Sequence, residues 1–153
     1  MKKKKIKKWI TAVCLTVMLT GCAKNTTPDM EPVQTNLDTI AIPEQVQVVG
    51  LGEASHGVKE YQELKAEVFR TLVENNGCRT FIIEGDFGNA LKVDAYIHGG
   101  EGTAKEAAAT IGFRIYRTKE MADLLEWMRT YNETAPEGED LHFYGMDMQQ
   151  ADN

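Results

Sequence analysis

Residues 80–84, TFIIE, decide the fold, because this short apolar run ends on a carboxylate and lies between two helical patterns. We predict a strand over 80–83, a preceding strand over 46–51 that runs into glycine, and a third strand over 141–144. Strands separated by helices favour an α/β fold, a parallel sheet with right-handed helical crossovers.

Four segments between and beside the strands carry helical periodicity: 58–76, 89–97, 103–110 and 118–131. In the first, Ser55 is the predicted N-cap and Gly77 the predicted C-terminal stop. Its predicted apolar stripe comprises Tyr61, Leu64, Val68 and Leu72. The predicted buried face of the last helix comprises Met121, Leu124, Leu125 and Met128.

Charged side chains follow the predicted strands where each strand ends. The motif GEASHG, residues 52–57, follows the first strand, Glu84 ends the second, and Asp147 follows the third. Ligands of open α/β sheets bind beyond the carboxyl ends of the strands. We therefore expect Glu53, His56, Glu84 and Asp147 to gather at one edge of the sheet.

A histidine among carboxylates suits general base catalysis near neutral pH, since one carboxylate fixes the imidazole tautomer and another orients a water molecule. The same residues suit a divalent metal ion, so both readings stay open. The glycines do not complete a dinucleotide fingerprint, and no G-x-S-x-G elbow is present. Lys59 and Asp147 are candidates for substrate contact, although Lys59 also fits a solvated helix face.

Five segments in this order and spacing resemble the erythromycin esterase family: VVGLGEASHGVKEYQELK (48–65), FIIEGDF (81–87), YIHG (96–99), WMRTYN (127–132) and FYGMDMQ (143–149). The resemblance implies hydrolysis of an ester or macrolide lactone by an activated water molecule, without a covalent serine intermediate. We expect no cofactor, while the divalent metal alternative stays open. It places the family's catalytic histidine on His56, its flanking glutamate on Glu53 and its strand-end glutamate on Glu84.

Members of this family are much longer than 153 residues, and their C-terminal part supplies a further histidine and basic residues. We therefore expect residues 45–153 to be the N-terminal part of a larger α/β domain. Its site would be incomplete, and we expect this chain to be inactive on its own. Two alternatives stay open: a metal-dependent hydrolase using the same residues, and a non-catalytic, lipid-anchored binding module.

The N-terminus has the pattern of a bacterial lipoprotein signal over residues 1–21. Lysines precede an 11-residue apolar run (9–19), and Leu19-Thr20-Gly21-Cys22 resembles a lipobox. Lipidation of Cys22 would anchor the protein to the outer face of the cell membrane without spanning it. Residues 22–44, polar and proline-containing, are the predicted tether.

The charge distribution argues against a nucleic-acid partner. The whole chain carries −6, but six of its 17 basic residues lie in 2–8 and no acid precedes Asp29, so residues 22–153 carry −12. Phosphate contacts need clustered basic side chains.

Of the remaining residues, His98 is the predicted C-terminal dipole partner of a helix, His142 a hydrogen-bonded sheet residue, and Cys78 a small buried apolar residue.

Overall fold

Two strands and four α-helices make up the part of the chain that the computed structural model describes, residues 42–148 together with Leu37. In chain order they are α1 Lys59–Asn76, β1 Thr80–Asp86, α2 Phe87–Ile97, α3 Ala104–Thr110, a 3₁₀ turn Arg114–Tyr116, α4 Lys119–Asn132 and β2 His142–Asp147. The α/β class is confirmed. The predicted signal, Cys22 and nearly all of the predicted tether lie outside the described residues.

The two strands are adjacent and parallel, as predicted. Thr80 pairs with His142 at one end and Asp86 with Asp147 at the other. Both strands extend beyond their predicted ends. The register slips by one residue near the carboxyl end, where Glu84 and Gly85 of β1 face the single residue Met146. A bulge of this kind redirects side chains and is common beside functional sites.

The predicted first strand is wrong. Residues 46–51 are irregular, and within residues 42–148 the sheet has two strands. Val48 is 85% exposed, and Val46, Val49 and Leu51 are also exposed. β-Branched residues favour a strand only where neighbouring chains pair and pack with it, and neither β1 nor β2 does so here.

Aromatic side chains join the sheet to the helices on one face. The Phe69 ring of α1 meets the Phe81 ring of β1 edge-on, with centroids 5.0 Å apart. Phe81 stacks on Phe143 of β2 at 5.9 Å. The opposite face of the sheet is exposed at Ile82 and Met146. The hydrophobic core thus lies between the helices and one face only of the described sheet.

Helix α4 follows its prediction closely. Met121, Leu124, Leu125 and Met128 are all buried. The Thr118 hydroxyl accepts a hydrogen bond from the Met121 backbone N–H and caps the helix. A complete apolar stripe therefore fixed both the type and the orientation of this helix.

Helix α1 ends as predicted and buries Val68 and Leu72 of its predicted stripe, but its start and the rest of that stripe differ from the prediction. Gly77 adopts a left-handed conformation (φ 66°) and donates its N–H to the Leu72 carbonyl. Ser55 is not the N-cap; Val58 holds that position without a side-chain bond. Leu64 is 48% exposed. The buried face comprises Gln62, Ala66, Val68, Phe69, Leu72 and Val73. Cys78, predicted to be buried, is only half-buried and packs against the core.

The side chain of Asn132 links three elements at the end of α4. Its Nδ2 donates to the carbonyls of Ile97, at 3.2 Å, and Leu141, at 3.0 Å. Its Oδ1 accepts from the Leu141 N–H at 2.7 Å. One amide therefore holds the ends of α2 and α4 against the entry to β2. Among the described helices, none is long and apolar enough to cross a membrane.

Gly145 permits the close approach of β2 to the bulge, which gives a test of the register. A Cβ at Gly145 would collide with the carbonyl oxygens of Gly85 and Asp86, the latter 2.6 Å away. These are backbone atoms that cannot rotate aside. We expect Gly145→Ala to lower the free energy of unfolding by about 3 kcal/mol, the upper end of typical overpacking costs.

Urea denaturation followed by circular dichroism measures this change. The matched control is Gly50→Ala, since a Cβ there has open space around it. Equal stability of Gly145→Ala and the wild type would contradict the strand register.

Candidate functional site

Glu53 and His56 form a hydrogen-bonded pair on the irregular segment that precedes α1. The Nδ1 atom of His56 lies 2.6 Å from Oε1 of Glu53. The Glu53 side chain is 9% exposed, whereas that of His56 is 58% exposed. The carboxylate is thus a buried anchor, and the imidazole is open to solvent and to a ligand.

Lys65 of α1 completes the set. Its Nζ atom lies 2.5 Å from the second carboxylate oxygen of Glu53. The hydrogen bond from Lys65 is the largest influence on the pKa of Glu53 and lowers it, burial opposes this, and His56 contributes a further lowering. Glu53 is therefore ionised at neutral pH, when a carboxylate only accepts hydrogen bonds.

This ionisation fixes the tautomer of His56. A hydrogen bond between Nδ1 and an ionised carboxylate requires the proton to lie on Nδ1. The other ring nitrogen, Nε2, then keeps its lone pair and can accept a proton. The structure thus contains the hydrogen bond between His56 and Glu53 that a base and its orienting carboxylate would need.

Glu84 lies at the bulge of β1, on the exposed face of the sheet. Glu84 and Glu53 both act electrostatically on Tyr116, a residue that is 2% exposed. Burial raises the pKa of Tyr116 to about 12, and the negative charges of Glu84 and Glu53 add to the rise. Both carboxylates therefore lie within electrostatic reach of one protonated tyrosine hydroxyl.

Lys59 and Asp147 are the two predicted substrate contacts. Lys59 is exposed on α1 and forms an ion pair with Glu63 at 2.9 Å. Asp147 is half-buried at the end of β2, opposite Asp86. Within residues 42–148, neither forms a hydrogen bond or ion pair with Glu53 or His56.

Lys65 and Tyr116 are the site residues that the sequence analysis missed. Lys65 lies 12 residues beyond Glu53, and its contact depends on how the irregular segment folds back on α1. Tyr116 belongs to a three-residue 3₁₀ turn, and nothing in its neighbourhood in sequence distinguishes it from a core aromatic. A short motif carries no signal for either contact.

Metal-ligating side chains converge elsewhere. Within the described residues, one group of three or more such side chains has its ligand atoms within reach of a single ion, and it consists of Asp94, His98 and His142. His98 lies at the C-terminus of α2, as predicted. His142 lies in β2, as predicted, and its backbone N–H donates to the Arg79 carbonyl, but its buried Nδ1 atom has no hydrogen-bond partner in the described part of the chain.

Comparison with known proteins gives one consistent result. The sequence profile of the family described as erythromycin esterase matches residues 73–153, just over half of the chain. A curated relative from Escherichia coli, erythromycin esterase type II, is 34% identical over 101 residues. That match covers 66% of this chain and 23% of the relative, so the chain spans about a quarter of the relative's length.

Two crystal structures are similar to the described fold. One, of a protein from Bacillus cereus, has a TM-score of 0.56 and 33% identity, covering 64% of this chain and 23% of its own. The other, of a succinoglycan biosynthesis protein, has a TM-score of 0.51 and 32% identity, covering 57% of this chain and 21% of its own. Both structures are similar to this chain in sequence as well as in fold.

The ion pair between Lys65 and Glu53 predicts a specific dependence of stability on pH. Because folding lowers the pKa of Glu53 from its ordinary value of 4.5, this carboxylate stabilises the protein above pH 4.5. That stabilisation is lost as the pH falls through the lower, folded-state value. We expect Lys65→Gln to raise the pKa of Glu53 in the folded protein and to flatten the loss of stability below pH 4.5.

Thermal unfolding of wild type and Lys65→Gln between pH 3 and pH 7 measures the effect. Lys59→Gln is the matched control, since Lys59 is exposed and pairs with a different carboxylate. Parallel pH profiles for the wild type and Lys65→Gln would show that Lys65 does not control the ionisation of Glu53.

Proposed function

The chain belongs to the erythromycin esterase family, and on this premise we propose that it acts as a hydrolase in which His56 activates water against an ester or lactone carbonyl. The observation that carries the proposal is the 2.6 Å hydrogen bond between His56 and the buried carboxylate of Glu53. A solvent-open imidazole held by an ionised carboxylate has the properties of a general base.

In the proposed reaction, Nε2 of His56 takes a proton from water while the water oxygen attacks the carbonyl carbon of the substrate. The imidazolium that forms is stabilised by the negative charge of Glu53 at Nδ1. The proton then passes from Nε2 to the leaving alkoxide as the bond between acyl carbon and alkoxide oxygen breaks. The products are a carboxylic acid and an alcohol, and no covalent enzyme intermediate is needed.

We assign Glu84 to the orientation of the attacking water, because its exposed position at the β1 bulge leaves its carboxylate available. Tyr116 stays protonated near neutral pH, because its pKa is raised to about 12, and it lies within electrostatic reach of both carboxylates. Lys59 and Asp147 stay candidates for contact with more distant parts of a small ester or lactone.

The charge of Lys65 favours this mechanism over a metal ion held by Glu53, His56 and Glu84. The ammonium group of Lys65 lies 2.5 Å from Oε2 of Glu53, and Nδ1 of His56 is hydrogen-bonded to Oε1. A divalent cation on Glu53 would have to displace one of these partners or lie beside a positive charge. We therefore propose direct activation of water.

The catalytic proposal is tested by His56→Ala in the intact protein, assayed on a panel of small esters and macrolide lactones. Loss of the general base should lower kcat/KM by ~10²–10⁴-fold. Glu53→Gln should also lower kcat, because an amide cannot stabilise the imidazolium. Steady-state kinetics and circular dichroism together separate lost chemistry from lost folding.

Ser55→Ala is the matched control. Ser55 is exposed and adjacent to His56, so the variant should keep its activity if water, and not serine, is the nucleophile. Chelator added at a temperature where the protein stays folded should leave the rate unchanged. Wild-type rates for His56→Ala would refute the role of His56, and an absence of turnover on every ester would favour the binding-module alternative.

We also propose that Cys22 is lipidated and holds the protein at the outer face of the cell membrane. The support is the sequence pattern alone: a lysine-rich start, an apolar run of 11 residues and the stretch Leu19-Thr20-Gly21-Cys22. A lipid anchor would leave the −12 charge of residues 22–153 outside the bilayer, where like charges on anionic lipids repel it.

Cys22→Ala tests the anchor. Cells labelled with a radioactive fatty acid should incorporate label into the wild type and not into the variant, and the variant should leave the membrane fraction. Cys14→Ala, a change within the predicted signal, is the matched control and should retain the label. Equal labelling of wild type and Cys22→Ala would refute lipidation at this residue.

A further inference from the structure

Three side chains that the proposed hydrolysis does not use converge where α2 meets the start of β2. Asp94 lies in the last turn of α2, His98 caps that helix, and His142 is the first residue of β2. Each offers a ligand atom, and these atoms all lie within 4.8 Å of one another. The two imidazole rings lie 5.0 Å apart between centroids.

The hydrogen bonds around Asp94 orient it toward both histidines. Its Oδ1 atom accepts a hydrogen bond from the Phe143 backbone N–H at 2.8 Å. The same atom lies 3.5 Å from Nδ1 of His142, and Oδ2 lies 3.6 Å from Nδ1 of His98, whose other ring nitrogen, Nε2, is the proposed ligand atom. Two ligands of one tetrahedral zinc ion lie about 3.4 Å apart, which follows from metal–ligand bonds of about 2.0–2.1 Å. The spacing of Asp94 and His142 is close to this value.

Each histidine retains an acceptor nitrogen. In His98, Nδ1 lies 2.7 Å from the Asp94 carbonyl oxygen, which only accepts, so Nδ1 carries the proton and Nε2 keeps its lone pair. Metal-binding histidines commonly donate their other ring N–H to a backbone carbonyl in this way. In His142, Nδ1 is buried with no hydrogen-bond partner among the described residues. A buried polar atom of this kind calls for a ligand or a bound ion.

We propose that Asp94, His98 and His142 form a binding site for a divalent cation of the zinc class. Two imidazoles and one carboxylate suit Zn²⁺ and Co²⁺, whereas Mg²⁺ and Ca²⁺ prefer oxygen ligands throughout. The partial exposure of all three side chains leaves room for water as the fourth ligand.

A metal ion bound at this site links the C-terminus of α2 to the first residue of β2. It lies at the amino end of β2, whereas Glu84 and the bulge lie at the carboxyl end of β1, which runs parallel to β2. The metal therefore stabilises the fold and takes no part in the proposed activation of water by His56. This inference does not depend on the proposed hydrolysis.

Zinc titration of the metal-free intact protein tests the proposal. Isothermal calorimetry should show one Zn²⁺ per chain, and elemental analysis after gel filtration should agree. Asp94→Asn keeps an oxygen for the Phe143 N–H but removes the charge, and His98→Ala removes an exposed side chain. Each variant should bind Zn²⁺ at least tenfold more weakly.

His56→Ala is the matched control, because His56 is the one of the chain's three histidines that lies outside the cluster. It should bind Zn²⁺ as tightly as the wild type, and Mg²⁺ should not compete. Saturating Zn²⁺ should raise the unfolding temperature of the wild type and not that of His98→Ala.

Two results would overturn the site: no zinc binding by the wild type at micromolar concentrations, or equal affinity in the wild type and His98→Ala. If only His56→Ala lost zinc binding, the metal would lie at His56, and this result would also overturn the proposed site. Circular dichroism of each variant separates lost ligation from lost folding, and His98→Ala carries the test if Asp94→Asn does not fold.

Discussion

Parallel pairing of β1 with β2 is the constraint on which the rest of the described structure depends. Parallel neighbours cannot be joined by a tight turn, so the chain from Asp86 to His142 must travel back along the sheet. It does so through α2, α3 and α4, and these helices supply about half of the buried core. The Asn132 amide then fixes the point at which the returning chain enters β2.

The elements that carry their own signal could be predicted from sequence. Helix α4 has a complete apolar stripe, and the apolar runs that became β1 and β2 are bounded by polar residues. Residues 46–51 have a strand-like composition, yet composition does not supply a pairing partner. In α1 the predicted stripe was right at Val68 and Leu72 but wrong at Leu64. Packing of Phe69 on Phe81 and Trp127 decides the rotation of the helix.

The same distinction applies to the two sites. Glu53 and His56 are three residues apart, so a motif can contain them and their hydrogen bond could be predicted. Lys65 and Tyr116 reach the site through folding of the chain. Asp94 and His142 are 48 residues apart, and they meet because β2 returns alongside the helix that follows β1. Contacts of this kind depend on topology, which local sequence patterns do not specify.

The irregular segment that carries Glu53 and His56 has a consequence for ligand recognition. Within the described part of the chain, residues 47–54 form no hydrogen bonds between backbone groups, while the Glu53–Lys65 ion pair ties the segment to α1. Such a segment opens locally without unfolding the core, and its amides should exchange with deuterium quickly. We expect a ligand that contacts His56 to hold this segment in place, so that its measured affinity would include the entropy of that ordering.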